Sequence, residues 1–146
     1  MLNLPKSLML ALALLLAAMP AFAQSVRAGD ITVHYNALAT SQLSPDVARQ
    51  YGITRSTSRA LLNIAVRRGD PGKDKAVTAK VTASAVNAAG ARQVISVREV
   101  KEGDAVSYLG EARIQGNDTL RFEIEVTPTD GGKPIRATFR QEFFTQ

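Results

Sequence analysis

The chain of 146 residues has no cysteine, no tryptophan and one histidine, and only 5% of it is aromatic. Each absence removes a class of chemistry. Without cysteine there is no disulfide framework, thiol nucleophile, thiolate-ligated zinc, iron–sulfur cluster or lipidated cysteine anchor. One histidine cannot build a multi-histidine metal centre. Phosphate-cradling glycine motifs and calcium-loop spacing are also missing, as are internal repeats, heptads and low-complexity tracts. A long hydrophobic run occurs in one place only, within the first 23 residues.

That segment reads as a secretory signal peptide. Lys6 is its only charge, an apolar run occupies residues 8–19, and Pro20 breaks it. Ala21-Phe22-Ala23 then supplies a small-x-small cleavage pattern. The run is shorter than the roughly 20 residues that cross a bilayer core as a helix. Paired arginines of a twin-arginine signal are absent, so the pattern predicts a Sec-type signal cut before Gln24. The position where a lipoprotein needs cysteine is also Gln24. The expected product is a soluble periplasmic or secreted chain, residues 24–146, with no transmembrane segment after cleavage. Its length suits one domain that buries enough surface to fold without staples.

Period-two alternation dominates residues 24–146. Ile31, Val33, Tyr35 and Ala37 share one face, as do Leu62, Ile64 and Val66. Val77, Ala79, Val81, Ala83 and Ala85 form a third run, and a fourth of less definite facing lies within residues 94–100. Val106, Tyr108, Gly110, Ala112 and Ile114 form the fifth. Leu120, Phe122, Ile124 and Val126 alternate with Arg121, Glu123, Glu125 and Thr127, and Ile135, Ala137, Phe139 and Phe143 close the series. Glycine- and aspartate-bearing turns separate these runs. Ser44 as cap, Pro45 at the first position and Gly52 as stop predict one short helical insertion. The fold class is therefore all-β, an immunoglobulin-like antiparallel sandwich of about seven strands. An outer-membrane barrel would need two aromatic girdles, which four Phe and three Tyr in residues 24–146 do not form. Opposite charges on the last two strands predict a register with Glu123 facing Arg140 and Arg121 facing Glu142, joined by a loop over residues 129–134.

His34 is the one side chain that titrates near neutrality. It could serve as a general base or a lone metal ligand, or stand as a polar residue on the outer face of the first strand. A base needs a nucleophile and an orienting carboxylate, and no such motif is recognisable. Carboxylates are scattered through turns and solvent faces, so no catalytic residue, metal site or cofactor is assigned. Charge is more informative. Residues 49–80 hold eight cations, among them Arg49, Arg55, Arg59, Arg67 and Arg68, against Asp70 and Asp74. These form either a basic surface for an anionic envelope partner or a dispersed solvated set. Candidate partners are an envelope protein or an anionic polymer or lipid surface. Nucleic acid is not expected, for want of interleaved aromatics. Phe143-Phe144 places one ring inward and one outward, the outer one under a loop or in a partner contact, so the chain is expected to be a monomer or a weak homodimer.

The order of segments resembles a family of small exported bacterial proteins, domain of unknown function 4426. The resemblance is carried by Gly29-Asp30, Val33-His34-Tyr35-Asn36-Ala37, Leu43-Ser44-Pro45-Asp46-Val47-Ala48, Tyr51-Gly52-Ile53-Thr54-Arg55-Ser56, Leu61-Leu62-Asn63-Ile64, Leu120-Arg121-Phe122-Glu123-Ile124 and Phe139-Arg140-Gln141. It implies a single exported β-domain and carries over no catalytic residue. It directs attention to His34, Tyr35, Asn36 and Arg55. Three readings stand at this point: a non-enzymatic binding module with a basic surface, a hydrolase built around His34, and a structural or chaperone-like module that pairs through an edge strand.

Overall fold

The computed structural model describes residues 24–144, so the expected signal peptide lies outside the described residues. Ten strands form two antiparallel sheets. The first contains β1 (Gln24–Ala28), β2 (Ile31–Ala39), β3 (Arg59–Arg68), β4 (Lys75–Ala76), β7 (Val97–Glu102) and β8 (Ala105–Arg113); the second contains β5 (Ala79–Val86), β6 (Arg92–Ile95), β9 (Asp118–Pro128) and β10 (Ile135–Phe143). Their orders are β1-β2-β3-β8-β7, with β4 also on β3, and β10-β9-β5-β6. This is the all-β sandwich that the alternation predicts, with β1 and β4 added.

The core between the sheets is built from the alternating faces. Val33, Leu62, Ile64, Val66, Leu120, Phe122 and Val126 are fully buried there. Phe122 stacks on Phe139 with ring centroids 4.9 Å apart, and Phe139 lies 4.9 Å from Tyr35. Tyr108 ties the two layers together: its hydroxyl accepts from the Ala79 amide at 2.7 Å and donates to Glu99 at 3.0 Å.

The fourth sequence run proves to be two strands in different sheets. Ile95 belongs to β6, Val97 to β7, and the chain crosses between the sheets at Ser96. An alternation pattern does not record which sheet a strand joins, so the crossing leaves no trace in the sequence.

The register of the last hairpin corrects an expectation. Arg136 faces Glu125 and Thr138 faces Glu123, while Arg140 lies opposite Arg121 and Glu142 opposite Thr119. The slip is two residues, so every inward side chain keeps its face. What decides between the two registers is the core. The observed one sets Phe139 directly opposite Phe122, and buried aromatic pairs outweigh surface charge pairs worth about 0.2–1 kcal/mol each. Neither expected charge pair forms; the cross-strand pair of this register is Arg136 to Glu125 at 3.0 Å. Glu123 is taken instead by Arg92 and Arg121.

The helical insertion is α1 (Pro45–Gln50), preceded by a 3-10 turn at Thr40–Gln42. The Ser44 hydroxyl accepts from the Val47 amide at 3.2 Å and Pro45 opens the helix, as the sequence indicates. Leu43, Ala48, Tyr51 and Ile53 pack on the outer face of the first sheet against Leu38, Leu61 and Leu109. A second small core therefore covers one end of that sheet. Ser44→Ala should cost about 0.5–2 kcal/mol, read as a lower urea midpoint and faster exchange of the Val47 amide; an unchanged exchange rate there would show that the cap is idle.

Candidate functional site

The structure separates the residues singled out from the sequence. Tyr35 is an inward core residue, 7% exposed, packed on Phe139. Asn36 and His34 point to the outer face of the first sheet. Asn36 lies opposite Asn63 on β3, and both are 2% exposed. The Oδ1 atoms of both and the Gln50 amide are buried without a hydrogen bond among the described residues. Burial and the neighbouring Glu102 carboxylate push the Tyr51 phenol well above its ordinary pKa.

His34 is half-buried between Ser25 of β1 and Ala65 of β3. Desolvation holds its pKa below the ordinary 6.5; Asp74 opposes this shift and Arg67 adds to it. Asp74 is committed to Arg67 at 3.0 Å, and among the described residues no carboxylate or hydroxyl hydrogen-bonds the imidazole. Because the folded pKa is depressed, the unfolded chain takes up a proton that the folded one refuses. Stability from this group is full above the ordinary pKa and falls as pH drops through the window just below it. His34→Gln should therefore flatten the stability profile in the window just below the ordinary pKa of 6.5. Parallel profiles for the two proteins would remove His34 from the acid response.

The arginines of residues 49–80 go to opposite ends of β3. Arg67 clips the carboxylate and the carbonyl of Asp74, and Arg68 bridges Asp30 at 3.2 Å and Asp130 at 2.8 Å. That end is knitted together by ion pairs between loops. At the other end Arg49 pairs with Asp46 within the helix, and Arg55 donates to the Ser41 carbonyl at 3.0 Å. Arg59 is half-exposed, 3.8 Å from Glu111.

Arg59 also acquires company that the linear reading missed. It lies directly opposite Arg113 on β8, an arrangement of like charges that costs stability unless something offsets it. Arg113 has its backbone clamped by the Gln93 side chain, whose amide accepts from Arg113 N at 2.8 Å and donates to its carbonyl at 3.0 Å. Arg98 lies opposite Leu109 and donates to the Tyr51 carbonyl. Arg92 is engaged by Glu123 and Ser84, and that contact holds the Glu123 carboxyl below the usual carboxylate range.

Arg92, Arg98, Arg113 and Glu111 line a groove of about 500 Å³ floored by Ile53, Leu61 and Leu109. Its rim carries Val94, 84% exposed. Arg98 and Arg113 reach it without a carboxylate partner among the described residues. Neither falls in residues 49–80, and only the sheet register brings them to Arg59. Among the described residues no group of three or more His, Cys, Asp or Glu could hold a metal ion, and no helix is long and apolar enough to cross a membrane.

The family model described as a domain of unknown function, DUF4426, matches residues 25–146. The chain belongs to the DUF4426 family. A solved DUF4426 protein from Pseudomonas aeruginosa PAO1 is 32% identical, with a TM-score of 0.71 over 87% of this chain and 98% of that one. FetP of uropathogenic Escherichia coli strain F11, expressed in the periplasm, has a TM-score of 0.61 at 12% identity, over 84% of this chain and 94% of that one. A copper-bound FetP variant has a TM-score of 0.58 at 12% identity, over 85% and 91%. At that identity the likeness to FetP is one of fold. No curated protein matches the chain. The family match agrees with the sequence resemblance, and it adds no catalytic residue to this DUF4426 protein.

Proposed function

We propose that this DUF4426 protein is an exported, non-enzymatic binding module that engages an anionic component of the cell envelope. The observation that carries the reading is the facing pair Arg59 and Arg113 beside a groove that also receives Arg98. Arg113, with no carboxylate partner among the described residues, stands beside Arg59, which is 3.8 Å from Glu111; together they raise the local positive potential and favour a negatively charged ligand over solvent alone. Export is supported by the signal pattern of residues 1–23 and agrees with the periplasmic expression of the structurally similar FetP.

Copper does not transfer with the fold. Residues 24–146 contain no cysteine and no methionine, since Met1, Met9 and Met19 all precede them, and His34 is the one imidazole. Thiolate and thioether ligands select copper(I) and nitrogen and oxygen ligands hold copper(II); residues 24–146 offer one imidazole, and among the described residues no group of three or more His, Cys, Asp or Glu gathers around it. The hydrolytic alternative has less support, because among the described residues neither a nucleophile nor an orienting carboxylate hydrogen-bonds His34.

The test is retention of envelope components on the immobilised protein, residues 24–146. The double variant Arg59→Glu/Arg113→Glu should lose a component that the parent holds, while His34→Ala keeps it. Retention indifferent to both arginines would overturn the reading.

A further inference from the structure

Taking the anion-binding reading as its basis, we infer that the groove between β6, β7 and β8 accepts an extended acidic peptide segment. Register fixes the separation of the two arginines that lack carboxylate partners. Arg98 stands beside Leu109, and Arg113 lies four residues further along β8. At roughly 3.3 Å per residue the two backbone positions are about 13 Å apart along the strand direction. Acidic side chains four residues apart in an extended peptide have the same separation and the same facing.

The stretch between the arginines is what distinguishes a peptide from a polyanion. It is floored by Leu61 and Leu109 and carries Glu111, whose Oε1 is buried, makes no hydrogen bond and lies 3.8 Å from Arg59. A polymer of closely spaced phosphates would set negative charge against this carboxylate and over apolar side chains. A peptide with acidic side chains only at the arginine positions leaves this carboxylate unopposed and brings apolar side chains for the floor and the exposed Val94. The Gln93 clamp on the Arg113 backbone holds one end of the site in place before anything binds, which lowers the ordering cost of association.

Fluorescence anisotropy tests this with an end-blocked ten-residue peptide bearing glutamates four residues apart and valines between them. Its glutamine counterpart, polyphosphate of equal charge and phosphatidylglycerol vesicles serve as competitors. The glutamate peptide should bind, and Arg98→Glu or Arg113→Glu should weaken it at least tenfold. Glu111→Leu should strengthen polyphosphate and leave the peptide little changed. If Arg113→Glu disturbs folding, Arg113→Gln keeps the backbone clamp and should still weaken binding. Polyphosphate or vesicles binding as tightly as the peptide, with Glu111→Leu improving all of them, would overturn the peptide inference and leave the anion reading standing. Absence of arginine-dependent binding to any probe would overturn both.

Discussion

Phe122→Ala should lower the free energy of unfolding by about 3–5 kcal/mol, the largest loss expected from a single truncation in this sandwich. Phe122 is completely buried at the centre of the smaller sheet, stacked on Phe139 and edge-on to Phe143 at 6.4 Å. Truncation removes both ring contacts and leaves a cavity walled by β-strand side chains that cannot slide inward without breaking register. A domain of this size holds only about 5–15 kcal/mol in total. Urea unfolding is the direct measurement: with a slope of about 1–3 kcal/mol per molar, the midpoint should fall by at least about 1 M. Phe122→Leu keeps most of the volume and should cost clearly less. Equal losses for both would mean that ring stacking, not filled volume, sets the value.

The same ring explains which parts of the fold were legible in the sequence. Alternation located the inward faces of β2, β3, β5, β8, β9 and β10, because a half-buried strand exposes every second residue whatever its partners are. Pairing register was not legible from charge, since a two-residue slip preserves the faces and only packing such as Phe122 on Phe139 separates the choices. The outer face of the first sheet was legible only in part. His34 lies on it as the alternation indicates, but the alternation does not show that α1 docks over Leu38, Leu61 and Leu109 or that Asn36 and Asn63 are buried. Helix capping at Ser44 was visible, but the surface against which the helix docks is a tertiary matter.

The basic surface was legible only in part. Counting charges in residues 49–80 assumes that neighbours in sequence are neighbours in space. On a ten-residue strand the opposite holds. Arg59 and Arg68 sit at opposite ends of β3, about 30 Å apart at the usual rise. Arg67 and Arg68 are absorbed by Asp74, Asp30 and Asp130. At the other end stands Arg59, 3.8 Å from Glu111, joined by Arg113 through the β3–β8 register and by Arg98 through β7–β8.

Gly110→Ala should cost about 1–3 kcal/mol, although alanine is normally the better strand residue by roughly 0.5–1 kcal/mol. A Cβ at this position would lie 2.4 Å from Ile95 Cγ2 and 3.1 Å from the Ser96 carbonyl. Ile95 is a core residue, 3% exposed, and its β-branched side chain is stiff at χ1. Its neighbour Ser96 is where the chain passes from one sheet to the other, and Gly110 also lines the groove. The missing side chain is thus what lets the crossing segment sit against β8 and shape one wall of the candidate site. A double-mutant cycle isolates the cause. Ile95→Ala deletes the clashing methyl, so the double variant should be less destabilised than the sum of the two single losses, by at least about 1 kcal/mol, within the usual range for residues in contact. Additive losses would mean that Gly110 is required for its backbone and not for the space it leaves. Because the crossing positions Val94 and Arg92 on the groove rim, Gly110→Ala should also weaken anion binding, and adding Ile95→Ala should recover part of it.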